Sequence, residues 1–106
     1  MSVNKELDLQ ISKVKKIIDS NPIVQNYLSL RNQIENDQRL NQLHSEIALH
    51  QKTMSKNIDK DAIYFQEKTI YEKLYAEYVQ DPLIVNFSRA KEELDILLSE
   101  IHNVLQ

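Results

Sequence analysis

The sequence predicts an all-α protein: four antiparallel helices, one of them long and central, in an oligomeric helical bundle. Three observations carry this. The 106 residues contain no glycine and only two prolines, where average usage would give roughly seven glycines. Glycine supplies the positive φ of tight hairpin turns, so a chain without it has few ways to build a β-meander. Each proline follows an Asn or Asp, in "NPIVQNY" at 21–27 and "DPLIVNF" at 81–87. Asn and Asp are good N-caps and proline fits the first helical position, so both phrases read as helix starts rather than as sites. The third observation is apolar spacing at three and four residues along most of the chain.

The first helix is expected at about 3–19, with Val3, Leu7, Ile11, Val14 and Ile18 on one stripe. The residue before a proline avoids the α region, which ends it near Ser20. The second runs from Pro22 to about Ser55. Its apolar face moves: Ile23, Tyr27, Leu30 and Ile34 share one side, Leu40, Leu43, Ile47 and Met54 another, roughly 140° away. Between them lies the polar stretch "ENDQR" at 35–39. Two faces in series imply two partners in series.

In "KNIDKD" at 56–61, Asn57 is expected in the left-handed C-terminal position that glycine usually takes. Asp59 or Asp61 is expected at the next N-terminus. The third helix, about 59–79, carries Ile63, Ile70, Tyr71, Leu74, Tyr75 and Tyr78 on one broad side. The fourth, 82–105, is the most regular: Leu83, Phe87, Ala90, Leu94, Leu97, Ile101 and Val104 alternate steps of four and three, suited to coiled-coil-like packing. The expected folding places the first helix back on the early part of the second, the third back on its later part, and the fourth back along the third. One short chain leaves apolar stripe uncovered in that arrangement, which implies a homo-oligomer, most simply a twofold dimer.

Composition excludes several classes. A net charge of −3 argues against a broad nucleic-acid face. The alternative of direct RNA binding rests on "KVKK", with Lys13, Lys15 and Lys16. Without cysteine there is no disulfide and no thiolate metal site. Without glycine there is no phosphate loop, dinucleotide fingerprint or nucleophile elbow. No stretch approaches the length of a membrane span and the start has no apolar signal core, so a cytoplasmic location without membrane insertion is expected.

Chemistry-bearing residues are sparse. "HSEIALH" holds His44, Glu46 and His50, a metal-binding alternative. The two histidines are six apart and point differently on a helix, unlike an i, i+4 zinc pair. His102 fits the negative end of the last helix dipole, and Glu92–Glu93 and Asp59–Asp61 lack a nucleophile or acid partner. No catalytic residue, cofactor or metal ligand is assigned, and an enzyme is not expected. The candidate interface comprises Leu40, Leu43, Ile47 and Met54 of the long helix, Tyr64, Tyr71, Tyr75 and Tyr78 of the third, and Leu97 and Ile101 of the last. Tyrosine suits an interface because its ring buries area while its hydroxyl keeps a polar partner.

Two segments also carry a resemblance. "IENDQRLNQLHSEIALHQ", with Ile34, Asp37, Leu40, Leu43 and Gln51, and "DPLIVNFSRAKEELDILLSEIHNVL", with Pro82, Phe87, Ala90, Leu94 and Leu97–Leu98, are similar to the YlbF/YmcA family of bacterial regulators. The similarity covers about residues 7–105. It implies an all-α oligomer without catalytic residues, an accessory subunit that joins a YaaT-like protein in a complex acting on ribonuclease Y. Messenger-RNA maturation, competence, sporulation and biofilm formation are the implied processes. Some members carry C-terminal cysteines associated with iron–sulfur clusters. This chain has none through Gln106, so a cluster on its own thiolates is not expected.

Overall fold

The computed structural model describes residues 2–105, with side chains from Asn4 onward. Val3, placed at the head of the first stripe, has its side chain outside the described residues. Five helices follow one another: α1 (Ser2–Ser20), α2 (Pro22–Glu35), α3 (Gln38–Lys56), α4 (Asp61–Gln80) and α5 (Pro82–Leu105). No strand, cis peptide or positive-φ residue occurs among the described residues. The all-helical expectation holds. The count of four does not, because the long helix expected at 22–55 is two helices.

The break lies in the polar stretch where the apolar face changes side. Helix ends leave backbone donors and acceptors without intrahelical partners, and "ENDQRLN" supplies side chains for them. Asn36 Nδ2 donates to the Asn32 carbonyl at 2.8 Å, and Asn41 Nδ2 donates to that of Glu35 at 2.9 Å. Asp37 leaves helical geometry (φ −89°, ψ 111°) and accepts from the Leu40 amide at 2.9 Å, capping α3. Short polar side chains that bond the backbone locally offer it an alternative to helix. Here Asn36, Asp37 and Asn41 all do so.

Both proline phrases are N-caps. Asn21 Oδ1 accepts from the Ile23 amide at 2.8 Å, and Asp81 Oδ1 from the Leu83 amide at 2.9 Å. Their aromatic residues also meet: Tyr27 and Phe87 stack with centroids 5.2 Å apart. The likeness of the two phrases therefore brings α2 and α5 together antiparallel, with Val24 on α2 and Ala90 on α5 both buried. The connection at 57–60 departs from expectation. Asn57 has φ −118° rather than a left-handed value, and its side chain donates back to the Thr53 carbonyl at 2.8 Å. Lys60 precedes α4 and makes no side-chain cap, and Asp61 places its charge in the first turn, one of the two roles expected of it.

The chain is a long hairpin. α1, α2 and α3 form one arm, α4 and α5 the other. α4 runs antiparallel to α3, as expected. α5 does not turn back along α4; it carries on past Asp81 and packs along α2. α1 does not fold back on α2. It meets α2 only around their junction, where Gln25 Nε2 also donates to the Asp19 carbonyl. Each N-cap redirects the chain without reversing it. The two partners in series expected for the long helix are thus α5 and α4. The molecule measures 67 × 29 × 22 Å with a radius of gyration of 20.7 Å, against about 13 Å for a compact domain of this length.

The main core sits at mid-length, where both arms break. Leu40 (1% exposed), Leu43 and Ile84 form it, with Ile34, Leu74, Tyr78 and Leu83 packed around them.

Candidate protein-interaction surface

Two polar clusters fix the arms before any surface is considered. Arg39, in the first turn of α3, donates from Nη1 to Asp81 Oδ2 at 2.8 Å and from Nη2 to Glu77 Oε1 at 3.1 Å. Asp81 thus uses one oxygen to cap α5 and the other to hold α3. Hydrogen bonding to Glu77, then to Asp81, raises the Arg39 guanidinium above its ordinary value, so it stays charged. Toward the hairpin turn, half-buried His50 on α3 bonds through Nδ1 to Glu67 Oε2 on α4. No buried side-chain polar atom lacks a partner among the described residues. His50→Ala should leave a half-buried carboxylate without its donor and cost about 1–2 kcal/mol. Urea unfolding checks this, and a change below a few tenths would show the pair to be incidental.

The residues of "HSEIALH" go to separate neighbours. His44 lies against the Tyr78 ring, with centroids 6.2 Å apart. Glu46 accepts from Gln42, one turn earlier on the same helix. His50 is held by Glu67. No group of three or more His, Cys, Asp or Glu is placed to share a metal ion among the described residues. Lys13, Lys15 and Lys16 are all exposed on α1.

The predicted interface set divides. Leu40 and Leu43, expected on an outer interface, are buried in the chain's own core. The spacing marks their face as apolar but not what covers it, and Ile84 of α5 packs against them together with Leu74 and Tyr78 of α4. Ile47, Met54, Tyr64, Tyr71 and Tyr78 are half-buried. Tyr75 points outward, half-exposed, and stacks on Tyr71 at 5.9 Å. Leu97 and Ile101 line a groove.

That groove runs between α1 and the far half of α5. One section, about 360 Å³, is walled by Val14, Ile17 and Ile18 on one side and Leu97, Ile101 and Leu105 on the other. The next, about 470 Å³, is lined by Leu7, Ile11, Val14 and Leu105, with Gln10 and Lys13 at its edge. The α1 stripe read from spacing is real, but it faces this open channel rather than α2. Val104, at the end of the regular α5 seam, is 84% exposed because nothing lies over it. Ile17 and Leu105 lay outside the predicted stripes, and only the depth of the groove singles them out. Leu49, Ile58, Phe65 and Ile96 are exposed as well, Phe65 edge-on to Tyr64 at 5.4 Å. No described helix is long and apolar enough to cross a membrane.

The class this defines is an extended all-helical hairpin with a lengthwise apolar groove and no converging catalytic or metal-binding set among its described residues. Within that class the chain belongs to the family described as control of competence regulator ComK, YlbF/YmcA, whose model matches residues 7–106, nearly its whole length. The family is described as a regulator, not as an enzyme. No curated protein and no solved structure was found to match the chain.

Proposed function

We propose that this chain is a non-catalytic regulatory adaptor that works by binding other proteins. Its complex would contain a YaaT-like protein and modulate messenger-RNA processing by ribonuclease Y. The observation that carries the reading is the apolar surface the hairpin leaves open, combined with membership of a family described as controlling a competence regulator. Grooves and outward aromatic residues of this kind mark places where a second protein docks. Tyr75, with Val79 one turn on, offers an outward apolar patch on α4.

Affinity capture from native cells tests the proposal. The expected result is co-recovery of a YaaT-like protein or ribonuclease Y, reduced at least about tenfold in a Tyr75→Ala, Val79→Ala double variant if Tyr75 behaves as an interface anchor. Repeated recovery of the bait chain alone would overturn the adaptor reading.

A further inference from the structure

The two arms of the hairpin break at the same level. Asp37 leaves helical geometry between α2 and α3 (φ −89°, ψ 111°), and Asp81 does so between α4 and α5 (φ −59°, ψ 130°). Arg39, two residues past the first break, reaches the Asp81 carboxylate at 2.8 Å, so the breaks face each other across the molecule. On either side of this waist the helices pair lengthwise, α2 with α5 and α3 with α4. The two pairs approach at backbone level only where consecutive helices join.

Two breaks in register define an axis. Arms lying side by side cannot bend in their own plane unless one shortens against the other. They can bend out of it, about the line through Asp37 and Asp81, with neither changing length. Hinges of this kind place the φ/ψ change in a few residues at element ends. Here the residues outside helix are 36–37 on one arm and Asp81 on the other. The mid-length core fits a pivot. Leu40, Leu83 and Ile84 sit in the first turn of their helices, and Ile34 and Tyr78 in the last turn of theirs. Contacts this close to the axis change little as the arms rotate.

What opposes the rotation is polar. Two side-chain ties cross the waist. Asn41 Nδ2 of α3 donates to the Glu35 carbonyl at the end of α2, at 2.9 Å. Arg39 of α3 donates to Asp81, whose other oxygen caps α5 at Leu83. Arg39 and Asn41 are themselves exposed, so water competes for both ties and salt screens the charged one.

We infer that the waist is a hinge: the α3–α4 hairpin swings out of the plane of the α2–α5 pair, and the Arg39–Asp81 pair is the clasp that holds the straight form. α3 has 19 residues and reaches about 28 Å, so a swing of about 30° carries the turn at 57–60 through roughly 15 Å. The swing changes the angle between the α1/α5 groove and the outward Tyr75 and Val79 on α4, so opening the clasp re-aims one surface against the other. The hinge belongs to the single chain and does not rest on the adaptor role; failed capture of another protein leaves it standing.

Because the chain has no cysteine, introduced pairs take spin labels at chosen sites, and double electron–electron resonance reads the distance between them. Asn26→Cys with Lys52→Cys spans the waist, and Lys52→Cys with Lys73→Cys lies within the α3–α4 hairpin. All three positions are exposed. Labelled chain is diluted into excess unlabelled wild type, so that only distances within one chain are read. With the clasp intact, both distributions are expected to be narrow. Arg39→Ala is expected to broaden the waist-spanning distribution about twofold, as the arms leave their single straight arrangement, with the hairpin distribution and helical circular dichroism unchanged. Molar sodium chloride is expected to broaden it in the same sense with Arg39 in place, which keeps the test open if Arg39→Ala fails to fold. A waist-spanning distribution as narrow without the clasp as with it, or an equal broadening of the hairpin pair, would overturn the inference.

Discussion

Leu40→Ala should cost about 3–5 kcal/mol of folding stability, as large-to-small changes at well-packed sites do. Leu40 is 1% exposed and is the one large side chain fully buried among the described residues. It sits where α3 begins, directly after the Asp37 cap, and its amide is the donor that cap receives. The substitution therefore empties the space between Ile34, Ile84 and Leu83 while leaving the cap bond in place. Its neighbours on α2 and α3 are tied by the Asn36–Asp37 junction and those on α4 and α5 by Asp81. The site can close only slightly around the missing atoms. A small domain shifts its melting temperature by about 4–8 °C per kcal/mol, so thermal unfolding should fall by well over 10 °C. Leu49→Ala is the control. Leu49 is 60% exposed, and its loss should stay within about 0.5 kcal/mol. Equal effects from the two changes would mean that the mid-length cluster is not the centre of folding.

The difference between Leu40 and the rest of its stripe also shows what could be read from the residues. Local signals were legible. The Asn21 and Asp81 caps, the prolines at the first helical position, the Tyr27 and Phe87 seam positions and the change of face at 35–39 all follow from interactions within one or two turns, which spacing encodes. Placement of the arms was not. The same α1 stripe of Leu7, Ile11, Val14 and Ile18 satisfies a helix folded back on α2 and a helix running alongside α5, because periodicity states that a face is apolar and not what covers it. The choice is made at Ser20–Asn21, where a single residue separates two helices. A one-residue link bends the path but cannot reverse it. The Asp37 break was half legible: the polar run was visible, yet helix propensity alone does not say that three side chains there would each take a backbone partner. Arg39 and Asp81 lie 42 positions apart, and His50 and Glu67 lie 17 apart. Nothing local links such pairs until the hairpin is known. The groove was missed for the same reason. Its two walls are separate stripes in the sequence, and only the hairpin places them side by side.

Family membership sharpens this without replacing it. The matched region runs from residue 7, within the α1 stripe, through the whole of α5, so the groove-forming elements belong to the matched length. The family is described as a regulator, and the surface this chain offers for contact is where such a role would be exercised. On this chain the surface for contact is segregated: the groove lies at the α1/α5 end and the outward aromatic residues on α4. The rigidity of the centre decides whether the two ends keep a fixed relation.

That rigidity is where the second large effect is expected. Asp81→Ala should destabilise by about 1–2 kcal/mol, the upper range for loss of an N-cap, and by more than Asn21→Ala. Both residues cap a helix through the same bond, to the amide two positions on, at 2.9 and 2.8 Å. Asp81 has a second duty. Its other oxygen receives Arg39, and its side chain is only 13% exposed, so the contact is better shielded from solvent than an open surface pair. Asp81→Asn separates the two duties, because the amide oxygen can still cap Leu83 while the charge that attracts Arg39 is gone. The expected order of stability is wild type, then Asp81→Asn, then Asp81→Ala. Added salt should narrow the gap between wild type and Asp81→Asn, since the screening length drops to about 3 Å at molar ionic strength, and should leave the gap between Asp81→Asn and Asp81→Ala in place. Guanidinium is itself a salt, so urea unfolding at low and high sodium chloride is the measurement. If Asp81→Ala and Asp81→Asn unfold together, the cap contributes nothing and the joint is held by charge alone. If Asp81→Asn matches the wild type at low salt, Arg39 does not brace it. Only when both gaps appear is the α4–α5 joint a braced one, able to hold the hairpin arms in line over the 67 Å length.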